Sequence, residues 1–219
     1  LSRSVKILDD FGEEESITDA NVFIECDQGF TFEPVSVSEE GVYILKVDKL
    51  EPAYKYRLSI NWNDKEYKSE YLSPLDTPAI DSISVESPAS EKPVYICVTT
   101  HDNELEPTYY KWSYREIWEF NADLFANAGY LNDKFYMFER HTSQNTYYCW
   151  GRDSSKVMLL ATTDKLTENL IYEKELIEIP RDHDKLKILY YIEVQQNRIR
   201  KEAYEYFKNI QRNIEQTGS

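Results

Sequence analysis

Three histidines, three cysteines and six glycines are spread over 219 residues, and each scarcity closes a class of chemistry. His101, His141 and His183 lie far apart. No H-E-x-x-H, C-x-x-C or G-x-S-x-G occurs, so the signatures of zinc proteases, dithiol redox centres and nucleophile elbows are absent. The few glycines leave little material for a phosphate-cradling loop, and no G-x-x-x-x-G-K-[ST] is present. Positive charge is also in deficit, with 25 Lys and Arg against 40 Asp and Glu and a net charge of −15. Nucleic-acid binding needs cations to displace counterions from phosphates, and adsorption to anionic lipid needs them too, so both are disfavoured. No run approaches the roughly 20 apolar residues that span a bilayer. "LSRSVKIL" begins mid-pattern without an initiator Met or a signal peptide, and reads as the start of a mature or trimmed product. No cofactor and no metal is expected.

What the chain does hold is tyrosine, 18 of them, within an aromatic fraction of 14%. Hydrophobic residues at 41% and charged residues at 30% describe a globular protein with one good core or two small ones. Period-2 alternation dominates the first third. "ANVFIEC" (Ala20 to Cys26), "FTFEPVSV", "VYILKV", "YKYRLSINW" and "KEYKSEYL" read as strands joined by polar turns, the last two across a short "ND" hairpin. This pattern predicts an immunoglobulin-like antiparallel sandwich over 1–76. "KLEPAYKYRLSI" resembles the tyrosine-corner region of immunoglobulin-like and fibronectin-like domains, with Tyr54 or Tyr56 as the corner residue.

"SPLDTPAIDSI" (Ser73 to Ile83) has two prolines and no periodicity, which places a linker at 77–83. A second, β-rich domain over 84–219 follows. "KPVYICVTT" is a strand with Val94, Ile96 and Val98 on one face and Tyr95 and Cys97 on the other. "TYYKWSYREIWEF" is a long aromatic strand, and "SKVMLLATT", "LIYEKELIEIP" and "KLKILYYIEVQQNRI" are three more. In the last, Leu186, Ile188, Tyr190, Ile192 and Val194 alternate. The stretch between Phe120 and His141 is irregular, with a short helix expected to end near Gly129. The period then changes: Ala203, Phe207, Ile210 and Ile214 make one face of a C-terminal helix over 200–217, with Gly218 as its stop.

Polar clusters that could carry chemistry have bland counterparts. "THDNE" (Thr100 to Glu104) and "PRDHDK" around His183 read as turns flanking strands. "DDFGEEE" (Asp9 to Glu15) is oxygen-rich, as Ca²⁺ prefers, but lacks the EF-hand spacing and reads as a solvated loop. Aromatic density between Tyr109 and Trp150 is the functional hint. Tyr110, Trp112 and Tyr114 share one strand face, as do Trp118 and Phe120, with Tyr109 opposite. These rings either form the second domain's core or include an exposed ledge. The ledge would be built from Tyr130, Tyr136 and Tyr147, with Trp118, and would stack on a ligand or dock a partner.

"TPAIDSI", "YYKWSY", "YYCW", "LLATTDKL" and "RIRKEAYEYFKNI", in that order, resemble an uncharacterised family of Bacteroidota envelope lipoproteins, domain of unknown function 4249. The resemblance implies a lipid anchor upstream and location in the envelope of a Gram-negative bacterium, at the outer membrane. It implies a non-enzymatic accessory that binds a ligand or partner, in particular a TonB-dependent outer-membrane receptor. A surface glycan-binding or adhesion module is the alternative. It also implies a further cysteine beyond Ser219, with which Cys149 would form a disulfide in an oxidising compartment. The alternative is that Cys26, Cys97 and Cys149 are all small core residues.

Overall fold

The computed structural model describes residues 1–3, 15–47, 49–89, 91–104, 106–124, 128–137 and 147–217. The acidic loop 9–14, Phe125, Phe138, His141 and the helix stop at Gly218 lie outside them. The fold is mainly β, with several antiparallel sheets and one C-terminal helix. Two compact units divide the chain, Leu1–Leu75 and Asp76–Ser219.

In the first unit the strands are β1 (Ser2–Arg3), β2 (Glu15–Ser16), β3 (Asn21–Cys26), β4 (Thr31–Phe32), β5 (Pro34–Val37), β6 (Tyr43–Leu45), β7 (Tyr56–Trp62) and β8 (Lys65–Lys68). They form a sheet in the order β4-β3-β7-β8 and the pairs β5–β6 and β1–β2. The run "FTFEPVSV" splits at Glu33, because Pro34 has no N–H to extend a ladder; β4 pairs with β3 and β5 with β6. Asn63 and Asp64 both take positive φ, 49° and 57°, as the tight β7–β8 hairpin requires. Ile17, Ala20 and Val22 are buried, with Tyr43, Ile60 and Trp62 packed against them. The corner residue is Tyr56: its buried hydroxyl accepts the Glu51 N–H at 2.9 Å, tying the strand to the turn before it.

The second unit contains β9 (Ser82–Glu86), β10 (Val94–His101), β11 (Tyr109–Asn121), β12 (Ala128–Leu131), β13 (Lys134–Met137), β14 (Tyr148–Ser154), β15 (Leu159–Thr162), β16 (Leu170–Ile179) and β17 (Leu189–Ile199). A 3-10 turn at Asp184–Leu186 precedes β17, and α1 (Lys201–Thr217) follows it. The stretch 77–83 falls within this unit, and its last residues open the edge strand β9. One sheet runs β16-β10-β9. The other is organised by β11, which pairs with β17 along most of its length on one side. On its other side β15 takes the first residues and β14 the last. Ser155 fills the gap between them, donating its N–H to Tyr114 O at 3.0 Å.

Ile96 and Val98 of β10, Ile171, Leu176, Ile177 and Ile179 of β16, and Tyr110 and Trp112 of β11 form one buried cluster, so the two sheets share a core. The indole N–H of Trp112 within it is satisfied through a chain of bonds. The Trp112 Nε1–H donates to Gln196 Oε1 at 2.7 Å, and the Gln196 amide donates to Pro78 O and Thr100 Oγ1 at 2.8 and 2.9 Å.

Three local expectations are corrected. Gly129 lies inside strand β12 rather than at the end of a helix. Leu186 belongs to the 3-10 turn and Ile188 is exposed, so the β17 alternation begins at Tyr190. The cause is His183, whose Nδ1 accepts the Lys185 N–H at 3.1 Å and extends the preceding turn. On α1, Ala203, Phe207 and Ile210 are half-buried as expected, but Ile214 is exposed and Tyr204 is the buried anchor.

Candidate functional site: the outer face of the second unit's sheet

Residues directly opposite across an antiparallel ladder share a face, so the register of β14, β11 and β17 sets out the surface in rows. On the outer face Trp150 stands beside Glu119 and Leu189, Arg152 beside Ile117 and Tyr191, and Ser154 beside Arg115 and Glu193. Tyr148 stands opposite Asn121 at the margin. Helix α1 covers only the other end of this face. The Tyr204 ring meets the Tyr109 ring at 5.3 Å, and the Lys111 ammonium sits 4.4 Å from the centre of Phe207. Beyond that end Trp150 is 62% exposed and Tyr191 59%, and Tyr148, Leu189 and Ile117 are exposed with them. Arg115, Glu119, Arg152 and Glu193 alternate in sign around these apolar side chains. An aromatic and aliphatic centre within a mixed-charge margin has the anatomy of a protein interface.

Trp118, expected on the ledge, points the other way. Gly151 lies directly against its indole, the Lys185 ammonium is 4.9 Å above the ring, and the His183 ring meets it edge-on at 6.2 Å. Trp118 thus roofs a buried charge cluster. Glu116, 1% exposed, is ion-paired with Lys185 and accepts the Tyr190 hydroxyl at 2.7 Å. Tyr130 and Tyr136 share the β12–β13 hairpin, whose turn residues Asn132 and Asp133 take φ of 51° and 60°. Tyr130 stands opposite Phe135, while Tyr136 stands opposite Gly129 on the other hairpin face, and both tyrosines are exposed. Tyr147 is half-buried, with its ring at 5.3 Å from that of Tyr148. Cys149 lies opposite Phe120 on the inner face, half-buried, and no disulfide joins the three cysteines to one another. Trp150, Tyr191, Ile117 and Leu189 were not singled out by sequence reasoning. Their signal was the odd-numbered alternation of β11 and β17 and the even-numbered alternation of β14, which become one surface only once the register is known.

The His101 Nδ1 lies 2.8 Å from Asp81 in a pocket of about 290 Å³ that also contains Asp76, Asp102, Glu104 and Arg198. An imidazole oriented by a carboxylate has the base-and-orienter geometry of acid–base catalysis. Asp102 and Glu104 are already engaged. Arg198 Nη2 donates to Glu104 at 2.6 Å, and the Thr108 hydroxyl donates to Asp102 at 2.7 Å. The Arg198 hydrogen bond and charge hold the Glu104 carboxyl below its usual range. Burial works to raise that of Asp102, but the bonds from Thr108 and the Glu104 N–H, with the charge of Arg198, outweigh it and lower it. Thr77, which also lines the pocket, accepts the Arg198 N–H on its Oγ1 at 3.1 Å. This arrangement clamps three chain segments together.

A family model described as a domain of unknown function, DUF4249, matches residues 1–219, and the chain belongs to that family. No curated protein and no solved structure matches it.

Proposed function

We propose that this protein is a non-catalytic binding subunit of a bacterial cell envelope, and that the open half of its outer sheet face docks another protein. The observation that carries the proposal is the exposed row Trp150, Tyr148 and Tyr191 interleaved with Ile117 and Leu189. Rings on a rigid sheet give large contact area at little entropic cost, and such residues dominate interface energetics. A glycan platform is the weaker alternative. Sugars present hydroxyls between their C–H faces, and at the centre of the row Ile117 and Leu189 have no group to bond them, which leaves that to the charged margin. Resemblance to envelope lipoproteins makes an outer-membrane transporter of the TonB-dependent class the partner of choice, with a lipid anchor holding the chain at that membrane.

A photo-crosslinking amino acid placed at Trp150, in cells expressing the full-length protein, tests this. The expected result is an adduct with an integral outer-membrane protein, absent when the probe replaces the exposed Tyr172 of β16. Identical adducts from both positions, or none from Trp150, would refute the docking face. In binding assays Trp150→Ala should weaken the complex by about 2 kcal/mol or more, roughly thirtyfold. The non-catalytic part of the proposal falls if a turnover is found that His101→Ala abolishes.

A further inference from the structure

A separate cleft of about 490 Å³ opens beside α1, lined by one stripe of the helix, by Tyr109 and by the end of β15 with the turn after it. Its size is that of a small-molecule site. Lys201, Lys208 and Arg212 project from the helix, and Lys165 stands on the turn. Among the described residues two acids, Asp164 and Glu205, share the lining. The chain as a whole has 40 acids to 25 cations, so the local excess of positive charge runs against the composition. Among the described residues none of these four cations forms an ion pair. Lys208 and Arg212 are moreover four apart on one helix, a like-charge spacing that disfavours the helix unless a counter-ion intervenes.

We propose that this cleft binds a small polyanion bearing phosphate or carboxylate groups. The floor is prepared for it. The rings of Tyr109 and Tyr204 pack at 5.3 Å, and the Lys208 ammonium lies 5.4 Å from the Tyr204 ring, which holds that charge at the lip. Thr162 Oγ1 accepts the Asp164 N–H at 3.1 Å, so its own hydroxyl proton is left to donate into the cleft. Asn209 supplies a further amide. Arg212 offers the planar fork that matches carboxylate or phosphate, and the three lysines act as mobile point charges around it. Four cations against two acids leave the lining net positive, and the Coulomb attraction grows with the ligand's charge, so a polyanion is favoured over a monoanion. This site is independent of the docking face, and neither proposal depends on the other.

The test is isothermal titration calorimetry of the full-length protein with citrate and with pyrophosphate at fixed ionic strength. The expected result is saturable binding that weakens as salt rises, with at least a tenfold loss in Lys208→Gln/Arg212→Gln and in Lys165→Gln. Lys156→Gln, an exposed lysine outside the cleft, should leave it unchanged. Lys165 is not on the helix, so its variant reports on the cleft even if the helical pair alters α1; circular dichroism checks that point. Sedimentation with phosphatidylglycerol vesicles is the second arm. No binding of either anion, binding equal in all variants, or binding to vesicles alone would overturn the proposal.

Discussion

Replacing Lys185 by Met is the perturbation that most sharply tests how the second unit is held together. Glu116 is 1% exposed, and its two oxygens have two partners: the Lys185 ammonium on one and the Tyr190 hydroxyl on the other. The Lys185 side chain is itself only 13% exposed, so solvent screening is weak. Methionine keeps the aliphatic stem beneath Trp118 and removes only the charge. The carboxylate is then left buried with one neutral donor, and breaking such a pair from one side costs about 3–5 kcal/mol. Replacing both partners should cost far less, because Glu116→Leu/Lys185→Met removes the buried charge along with its counter-ion. The assay is urea unfolding followed by tryptophan emission in a Trp62→Phe background, so that Trp112, Trp118 and Trp150 report on the second unit alone. With a slope of about 2 kcal/mol per molar urea, the single variant should lower the midpoint by roughly 2 M. A shift below about 0.5 M in Lys185→Met, equivalent to 1 kcal/mol on that slope, would refute the reasoning. So would a double variant no more stable than the single one.

Gly151→Ala places a methyl group into the Trp118 indole, so the ring must leave its seat. A loss of about 1–3 kcal/mol with a shift in Trp118 emission is expected, read by the same urea titration. Burial first, then its hydrogen bond to Glu116 and that group's charge, push the Tyr190 hydroxyl far above its usual value of 10. The folded state therefore keeps a proton that the unfolded state releases, so this stability is whole below pH 10 and lost as pH climbs beyond it. Thermal melts from pH 8 to 11 should show a steep alkaline fall that is flatter in Tyr190→Phe. In the first unit, Tyr56→Phe leaves the Glu51 N–H without its acceptor and should lower stability by about 1 kcal/mol, read by urea unfolding in a background where Trp62 is the only tryptophan.

Much of the fold was legible because strand alternation and turn chemistry are local. Val94, Ile96 and Val98 face the core, as do Tyr110 and Trp112, and the "ND" pair turns the β7–β8 hairpin. What failed was long-range. Trp118 and Trp150 look equivalent in a list of aromatics, yet pairing against Gly151 turns one inward and pairing against Glu119 turns the other out. His183 reads as a turn residue, and it is one. That its ring nitrogen caps the turn, and so carries Leu186 out of the strand, depends on a side-chain bond that spacing does not encode. The cationic cleft draws its charges from α1 and from the turn after β15, segments some forty residues apart, and no motif joins them.

Strand β11 organises the second unit: its inner face anchors the core, and its outer face divides between the helix-covered end and the open end. Lys111, under Phe207, and Glu119, beside Trp150, are eight residues apart on it. At about 3.3 Å per residue that is roughly 26 Å. Pairing on both sides along this span leaves β11 without a second packing to switch into, and sites that far apart with no shared partner combine additively within about 0.5 kcal/mol. Saturating the cleft with citrate should therefore leave affinity at the Trp150 face nearly unchanged, measured with the same partner before and after. A tenfold change, about 1.4 kcal/mol of coupling, would mean that α1 moves on the sheet when the anion binds. In that case the helix, and not the strand, would be the element that sets how much of the outer face is open.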